Sequence, residues 1–591
     1  MLINTDTNKP CLVETRQGLS VLYENRYLYS KYNPAASIER LVDRLELKND
    51  TLVLCFSPVL GYGLKKLAEK LPSGCFVLAI EADAQLLELY NTDFFTVKKT
   101  DIAQISEEET LLESADVTIG FLGPQRLDSI YNFLTKKNQI ADNGVRIPHP
   151  GSFKYCVRID FSAAPALKQE EYQRIQQRAE LAVANFWKNR LTLIKMGRLY
   201  HRNILRNLAI IPFSNEIPTK KINFPLLVLG AGPSADNTIA KLSLMAKAQR
   251  EKMYIVAVDA VVPALLAKKI KPDFVVALEC QHAIQQAYTS ASYDELFIVA
   301  DLTSRPSILH YDTSGRFKTG LEELGENCTG GKTAFFSTEF AGSRFLERLQ
   351  QQDFIQQVLP PMGSVGIVAM EMALLLRSSA HVPVYISGLD FSFLVERSHC
   401  KDSFQVKNTF FKTNRVKPIG SYGCLENPST EKQAGKSGMV YSDQILSYYQ
   451  QIFCDRFRGV IQAYDVGEMG LDLGLERRDF SQVISEITLM KKTKEARIFK
   501  ENTERKQYLC EKIQDFYHKE EALLLELREG LSTGNICQER ILEILEEADY
   551  LYLHFPDGYK PSLDISFLKR VRSEIDFFLK DIALGKKLLD Q

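Results

Sequence analysis

The sequence predicts an α/β protein with two Rossmann-like, doubly wound domains, a helical linker between them and a helical C-terminal domain. Three observations lead there. Apolar runs alternate with amphipathic stretches in two separate regions, a long helical spacing lies between those regions, and helical spacing returns after about residue 475. The expected divisions are an N-terminal Rossmann-like domain over 1–160, a linker over 161–220, a central domain over 221–465 and helices over 466–591. A chain of 591 residues with 45% hydrophobic side chains can fill a core in each.

In the first region "TLVLCFSP" (51–58) reads as a buried strand and "GYGLKKLAEKL" (61–71) as the turn and helix after it. "CFVLAIEAD" (75–83) and "ADVTIGFLG" (115–123) supply two further strands. Gly61, Gly63 and Glu81 imitate a nucleotide site, but tight strand-to-helix turns need glycine in any case, and the structural reading is preferred. From 165 to 210 apolar positions recur at three and four, predicting one long helix that carries the only tryptophan, Trp187, expected to pack between domains.

The second α/β region opens with "FPLLVLGAG" and continues with "MYIVAVDA" (253–260), a short helix at 261–270, "KPDFVVALE" (271–279), "LFIVADLT" (296–303) and "VPVYISGLDFSF" (382–393). "GSVGIVAMEMALLL" (363–376) is a buried helix with a Gly-Ser start, a favourable N-cap. The stretch 395–440 is polar with little periodicity, as in a lid or binding loop. Past 475, one long helical pattern is followed by shorter ones at 537–552 and 563–585.

Ligands of open α/β sheets bind beyond the carboxyl ends of the strands, and four such ends carry unusual residues. Gly230, Gly232, Pro233 and Ser234 form a tight loop before a helix, suited to an anion. Asp259 closes the second strand and Glu279 the third. Ser387, Gly388 and Asp390 form the tip of a later strand, and Gly363 with Ser364 starts the buried helix. His399, nine residues past Asp390, is the histidine nearest this rim, in a loop, and titrates where a general base is useful. No Asp-x-Asp pair stands near a strand end, so no metal is expected. Lys407, Lys412 and Arg415 are candidates to neutralise phosphate.

Taken together, "LGAGPSAD", "AVDA", "KPDFVVALE", "MGSVGIVAMEMALLL" and "VYISGLDFSF" resemble the motility-associated factor (Maf) family, bacterial proteins that glycosylate flagellin. The central part is also similar to small bacterial sialyltransferases, whose pattern runs G-N-G-P-S, then T-S-G before a helix, then S-G-I-D-F. The resemblance is specific over about 223–400. It implies a transferase that moves a nonulosonic, sialic-acid-like sugar from a CMP donor to Ser or Thr of flagellin, as flagellar assembly and motility require. It implies His399 as base, with Asp390 and the glycine-rich segments around the nucleotide. Ala231 and Asp259 stand where the sialyltransferases carry Asn, and His399 follows Asp390 more closely than in those enzymes. The CMP-sugar is the donor substrate, and no cofactor is expected.

Two other readings remain: a pterin-type pyrophosphokinase of the same broad family, with Asp259, Glu279 and Asp390 available for magnesium, and a non-catalytic flagellin-binding protein. A net charge of −1 argues against nucleic acid as a partner. No apolar run is long enough to span a membrane, the start lacks a secretory signal, and the eleven cysteines form no C-x-x-C pair, so a cytoplasmic location is expected. The sequence leaves the oligomeric state open.

Overall fold

The structure, a computed structural model, describes residues 9–90, 96–97, 117–130, 134, 139–148, 150–289, 296–309, 332–338, 343–395, 397–419, 429–495, 498–499 and 503–590. The chain divides into two compact units, Met1–Thr192 and Leu193–Gln591.

The first unit is built on a four-stranded parallel sheet of β1 (Thr51–Phe56), β2 (Phe76–Ile80), β3 (Gly120–Leu122) and β4 (Tyr155–Asp160), ordered β3-β2-β1-β4. The first two match the expected strands. The third is shorter than "ADVTIGFLG" implies, and β4 was not anticipated, because its alternation of charged and apolar residues suits a strand at the sheet edge. Ahead of the sheet stands an antiparallel set, Cys11–Thr15, Gly18–Tyr23 and Arg26–Tyr27. Gly61 and Gly63 take positive φ in the turn before helix α1 (Leu64–Lys70). Glu81 is buried and saturated, accepting from Ser57 Oγ at 2.6 Å, Tyr172 at 2.7 Å, Tyr90 at 2.8 Å and the Asp83 amide at 2.8 Å. That network is structural, as preferred from the sequence. Trp187 belongs to this unit's core, donating to the Phe153 carbonyl at 2.6 Å.

The long helix is α2 (Gln169–Leu208), and the division between the units falls within it. The second unit is a nine-stranded parallel sheet. Its strands are β5 (Leu226–Leu229), β6 (Tyr254–Val258), β7 (Phe274–Ala277), β8 (Ile298–Asp301), β9 (Thr333–Thr338), β10 (Val358–Leu359), β11 (Val384–Ser387), β12 (Ala463–Asp465) and β13 (Glu476–Arg477). Their order is β10-β9-β8-β7-β6-β5-β11-β12-β13. From β5 the chain winds outward one way to β10, then returns to β5's other edge as β11 and winds outward again. The sheet therefore reverses direction between β5 and β11, the place, beyond the carboxyl ends, where ligands of open α/β sheets bind.

Strands β5, β6, β7 and β11 are buried at every residue, which is why they read as continuous apolar runs. One core joins the sheet to helices α3 (Ala235–Leu244), α4 (Val365–Leu376) and α6 (Gln444–Phe457). The other joins it to the end of α2 and to α7 (Thr503–Thr533) and α8 (Ile565–Leu589). The stretch 466–591, expected as a separate domain, thus supplies β13 and the helical layer on one face.

Two expectations need correction. The polar stretch 395–440 contains helix α5 (Phe404–Lys412) and a hairpin, Glu431–Gly435 with Gly438–Ser442; residues 396 and 420–428 lie outside the described residues. Lys407, Lys412 and Arg415 are exposed there. The long helical pattern after 475 is broken after a helix at Phe480–Leu489, before α7 begins. Tertiary anchors override the propensity: Lys494 pairs with Asp273 at 2.5 Å, and Phe499 stacks on Phe297 at 4.0 Å.

Candidate functional site at the sheet reversal

The loop Gly230–Ser234 leaves β5, and the tip Gly388–Asp390 leaves the neighbouring β11, so the two meet. Gly230 donates its amide to the Ser387 carbonyl at 2.8 Å and Gly232 to that of Gly388 at 2.7 Å. A Cβ on Gly230 would stand 2.3 Å from the Gly388 carbonyl oxygen, and one on Gly388, whose φ is +73°, 2.3 Å from that of Gly230. The glycines permit two backbones to touch, and this closeness explains both.

Asp390, 3% exposed, locks the contact. It accepts from the Ser234 amide at 2.7 Å and from the Ser234 hydroxyl, while the Gly388 amide donates to Ser234 Oγ at 3.0 Å. Burial raises the Asp390 pKa to about 6, against the lowering effect of the Ser234 bonds. Asp390 is therefore a strut between the loops. The Gly230, Gly232 and Ser234 amides are all used within the protein, and Pro233 has none, so the loop does not offer the row of free amides expected of it.

Another set of donors starts α4. Gly363 takes φ +71°, and Ser364 is the N-cap residue but makes no side-chain cap bond. The first amides of a helix have no partner within it, and a helix of 12 residues adds a positive dipole end. Leu389 links this terminus to the crevice: a Cβ on Gly366 would meet Leu389 Cγ at 2.9 Å, and one on Gly230 would meet Leu389 Cδ1 at 2.7 Å. The glycine loop, the β11 tip and the start of α4 thus converge on Leu389, whose apolar side chain lies between them.

Beyond β6 and β7 stand Asp259 and Glu279. Asp259 is buried, accepts from the amide of its neighbour Ala260 at 2.7 Å, and burial raises its pKa to about 7. Glu279 is exposed, accepts from the Gln281 amide at 2.9 Å and acts on Asp259 through space. His399 is partly buried, with Nδ1 2.8 Å from Ser398 Oγ, and desolvation lowers its pKa to about 4. The next residue, Cys400, donates its amide to the Ala231 carbonyl at 2.8 Å, which fixes His399 beside the glycine loop. His399 is thus held at the glycine loop, and Asp259 and Glu279 follow the next two parallel strands, β6 and β7.

The sequence reading missed three groups. Lys436, on the hairpin turn, is 2% exposed in its side chain and pairs with Asp465 at 2.7 Å behind Ser234 and Asp390. Asp301 ends β8, held by Thr303 and Thr338 Oγ1. Asn203 and Asn207 of α2 donate to the carbonyls of Cys280, Thr303, Leu302 and Ser304, tying the loops after β7 and β8 to the helix. Two asparagines four apart on one face of an amphipathic helix were the available signal.

Residues 201–396 match the family model described as 6-hydroxymethylpterin diphosphokinase MptE-like. An uncharacterized protein of Treponema pallidum (strain Nichols) is 30% identical over 601 residues, covering 98% of this chain and 96% of that protein. A second uncharacterized protein of that organism is 24% identical over 179 residues, covering 30% of this chain and 78% of its own length. Among solved structures, that of the MAf glycosyltransferase from Magnetospirillum magneticum AMB-1 is similar over 100% of this chain and 91% of that one, with 14% identity and a TM-score of 0.49.

Proposed function

We propose that this chain, which belongs to the same family as the Treponema pallidum relative matched over 96% of that protein's length, is a glycosyltransferase, moving a nonulosonic sugar from a CMP donor to Ser or Thr of flagellin. The observation that carries the reading is the convergence of the glycine loop, the β11 tip and the α4 terminus at the sheet reversal. Three of the motifs behind the resemblance, "LGAGPSAD", "MGSVGIVAMEMALLL" and "VYISGLDFSF", hold the segments that meet there.

In this reading the α4 terminus, with Ser364, receives the phosphate of CMP, a leaving group that needs stabilisation more than protonation. The Gly230–Ser234 loop and the Asp390 strut hold the crevice open at fixed width, with Ser387 behind them. Asp259 and Glu279 face the nucleoside. His399 takes the proton from the acceptor hydroxyl. Its lowered pKa keeps it neutral, and so able to accept a proton, down to about pH 4. The acid limb of kcat/KM is expected near pH 4–5, below the ordinary histidine value near 6.5, and His399→Gln is expected to lose about a hundredfold or more in rate without a change in melting temperature. A limb at pH 6.5, or unchanged turnover in the variant, removes His399 from the base role.

The family model matched by residues 201–396 favours a second reading, a pterin-type pyrophosphokinase. With Asp390 committed to Ser234, Asp259 and Glu279 are the rim carboxylates left to that chemistry. Thermal shifts separate the two. CMP alone is expected to raise the melting temperature, whereas ATP with magnesium is not; the opposite pattern assigns the protein to the kinase reading. Intact-mass measurement of flagellin incubated with the chain and a CMP-nonulosonate then tests transfer, distinguishing it from a flagellin-binding helper.

A further inference from the structure

The sheet of the first unit ends in an open edge. Its order, β3-β2-β1-β4, gives β4 a paired strand on one side only among the described residues. The Tyr155 and Phe161 amides both donate towards β1, to the Asp50 carbonyl at 3.3 Å and the Phe56 carbonyl at 2.9 Å. Backbone groups alternate in direction along a strand, so the amides and carbonyls of Cys156 and Arg158 point the other way, out of the sheet. Six successive residues pair with β1 in one register, from Tyr155 on Thr51 to Asp160 on Phe56, with no bulge, and the strand carries no proline. Edge strands are ordinarily guarded by such devices or by unbalanced charge. Here the charges cancel, because Arg158 forks onto both oxygens of Asp160 at 2.7 and 2.9 Å.

There is also room beside this edge. A cavity of about 550 Å³ opens along the start of β4, and its walls come from both faces of the sheet. Tyr155 and Val157 line it from one face, Cys156 with Val183 and Trp187 of α2 from the other. Tyr155 is 43% exposed there. A space that straddles a strand edge lies where a further strand would run, its side chains alternating between the same two faces.

We propose that the occupant is β4 of a second copy, in a two-fold dimer that joins the two four-stranded sheets into one, whatever reaction the second unit carries out. Turned antiparallel about an axis at Val157, the strands bring Cys156 opposite the second copy's Arg158, and these exchange both backbone hydrogen bonds, twice over by symmetry. On one face Val157 meets its own counterpart and Tyr155 meets the second copy's Ile159, an aromatic against a β-branched residue. On the other face Lys154, which pairs with Asp50 at 2.7 Å in its own chain, comes opposite the second copy's Asp160. The neighbouring axes are worse. One at Cys156 sets Lys154 against Arg158, and one at Arg158 sets that residue against itself, so charge selects Val157.

Sedimentation velocity on the full chain, over about a hundredfold range of concentration, is expected to show a monomer–dimer equilibrium. Single cysteines under oxidising conditions then read the register. Position 157 faces its counterpart as a non-hydrogen-bonded pair with Cα atoms about 4.5 Å apart, inside the span of a disulfide. Val157→Cys is therefore expected to give a disulfide-linked dimer that the wild type, with its native cysteines, does not form. Tyr155→Cys is the control. Its counterpart lies about 13 Å or more away along the strands, beyond a disulfide's reach, and no linked dimer is expected. Val157→Lys, which sets two ammonium groups on the axis, is expected to sediment as a monomer at every concentration while keeping its circular dichroism spectrum. If that variant does not fold, the disulfide pattern decides alone. A wild type that stays monomeric overturns the proposal, as does a dimer that Val157→Cys fails to link. So does linkage through Tyr155→Cys as readily as through Val157→Cys, or a folded Val157→Lys that remains dimeric.

Discussion

At the residue scale, two glycines and two carboxylates decide the crevice. Because a Cβ on Gly230 or Gly388 would meet backbone 2.3 Å away, neither neighbour can swing aside as a side chain can. Gly230→Ala and Gly388→Ala are each expected to cost about 3 kcal/mol or more, Gly388→Ala the greater for its positive φ, seen as a lowered melting temperature or lost soluble yield. Asp259 gives a pH signature. Its folded pKa near 7 lies above the ordinary aspartate value, so the folded state holds the proton more tightly than the unfolded chain. Its contribution to stability is present below about pH 4 and is lost as pH rises towards 7. Relative to wild type, Asp259→Asn is expected to gain stability steadily over that window; a constant difference from pH 4 to 7 contradicts the raised value. The rim residues were legible in the sequence because glycines and acids stand directly after buried apolar runs, where strands end. Their roles were not. That Asp390 braces Ser234 instead of facing a ligand depends on a contact between residues 156 apart.

At the element scale, the start of α4 takes over the task first given to the glycine loop. Ser364 makes no cap bond, so Ser364→Ala removes nothing from the folded protein and is expected to leave the melting temperature within about a degree. The same change is expected to weaken CMP binding by about tenfold, the loss of one hydrogen bond to a charged group. A fall in stability with unchanged CMP affinity would make Ser364 a structural residue. Buried parallel strands and the long α2 were readable because their apolar period continues unbroken. The short strands β10, β12 and β13, of two or three residues, were not, since pairing with a neighbour defines them. The break between Leu489 and Thr503 was hidden for a similar reason. Helical spacing runs through it, while contacts such as Lys494 on Asp273 and Phe499 on Phe297 tie the segment to the sheet.

At the scale of the whole molecule, the buried apolar residues described fall into two sets of cores, one drawn from residues 21–183 and the other from 204–588. Calorimetry is expected to resolve two unfolding transitions, and residues 193–591 expressed alone are expected to reproduce the second and to bind CMP as the full chain does. A single transition, or a fragment that fails to fold, contradicts independent cores. The sheet reversal carries a consequence for biogenesis. When β5 leaves the ribosome, the strand that must line its other edge is still untranslated, and the Leu471 amide that seals the Asp390 carbonyl at 2.8 Å is made later still. A nascent chain therefore exposes an unfinished apolar edge from Leu229 until Val384 is made. Helpers that shield such edges become the natural companions of this protein before any ligand does.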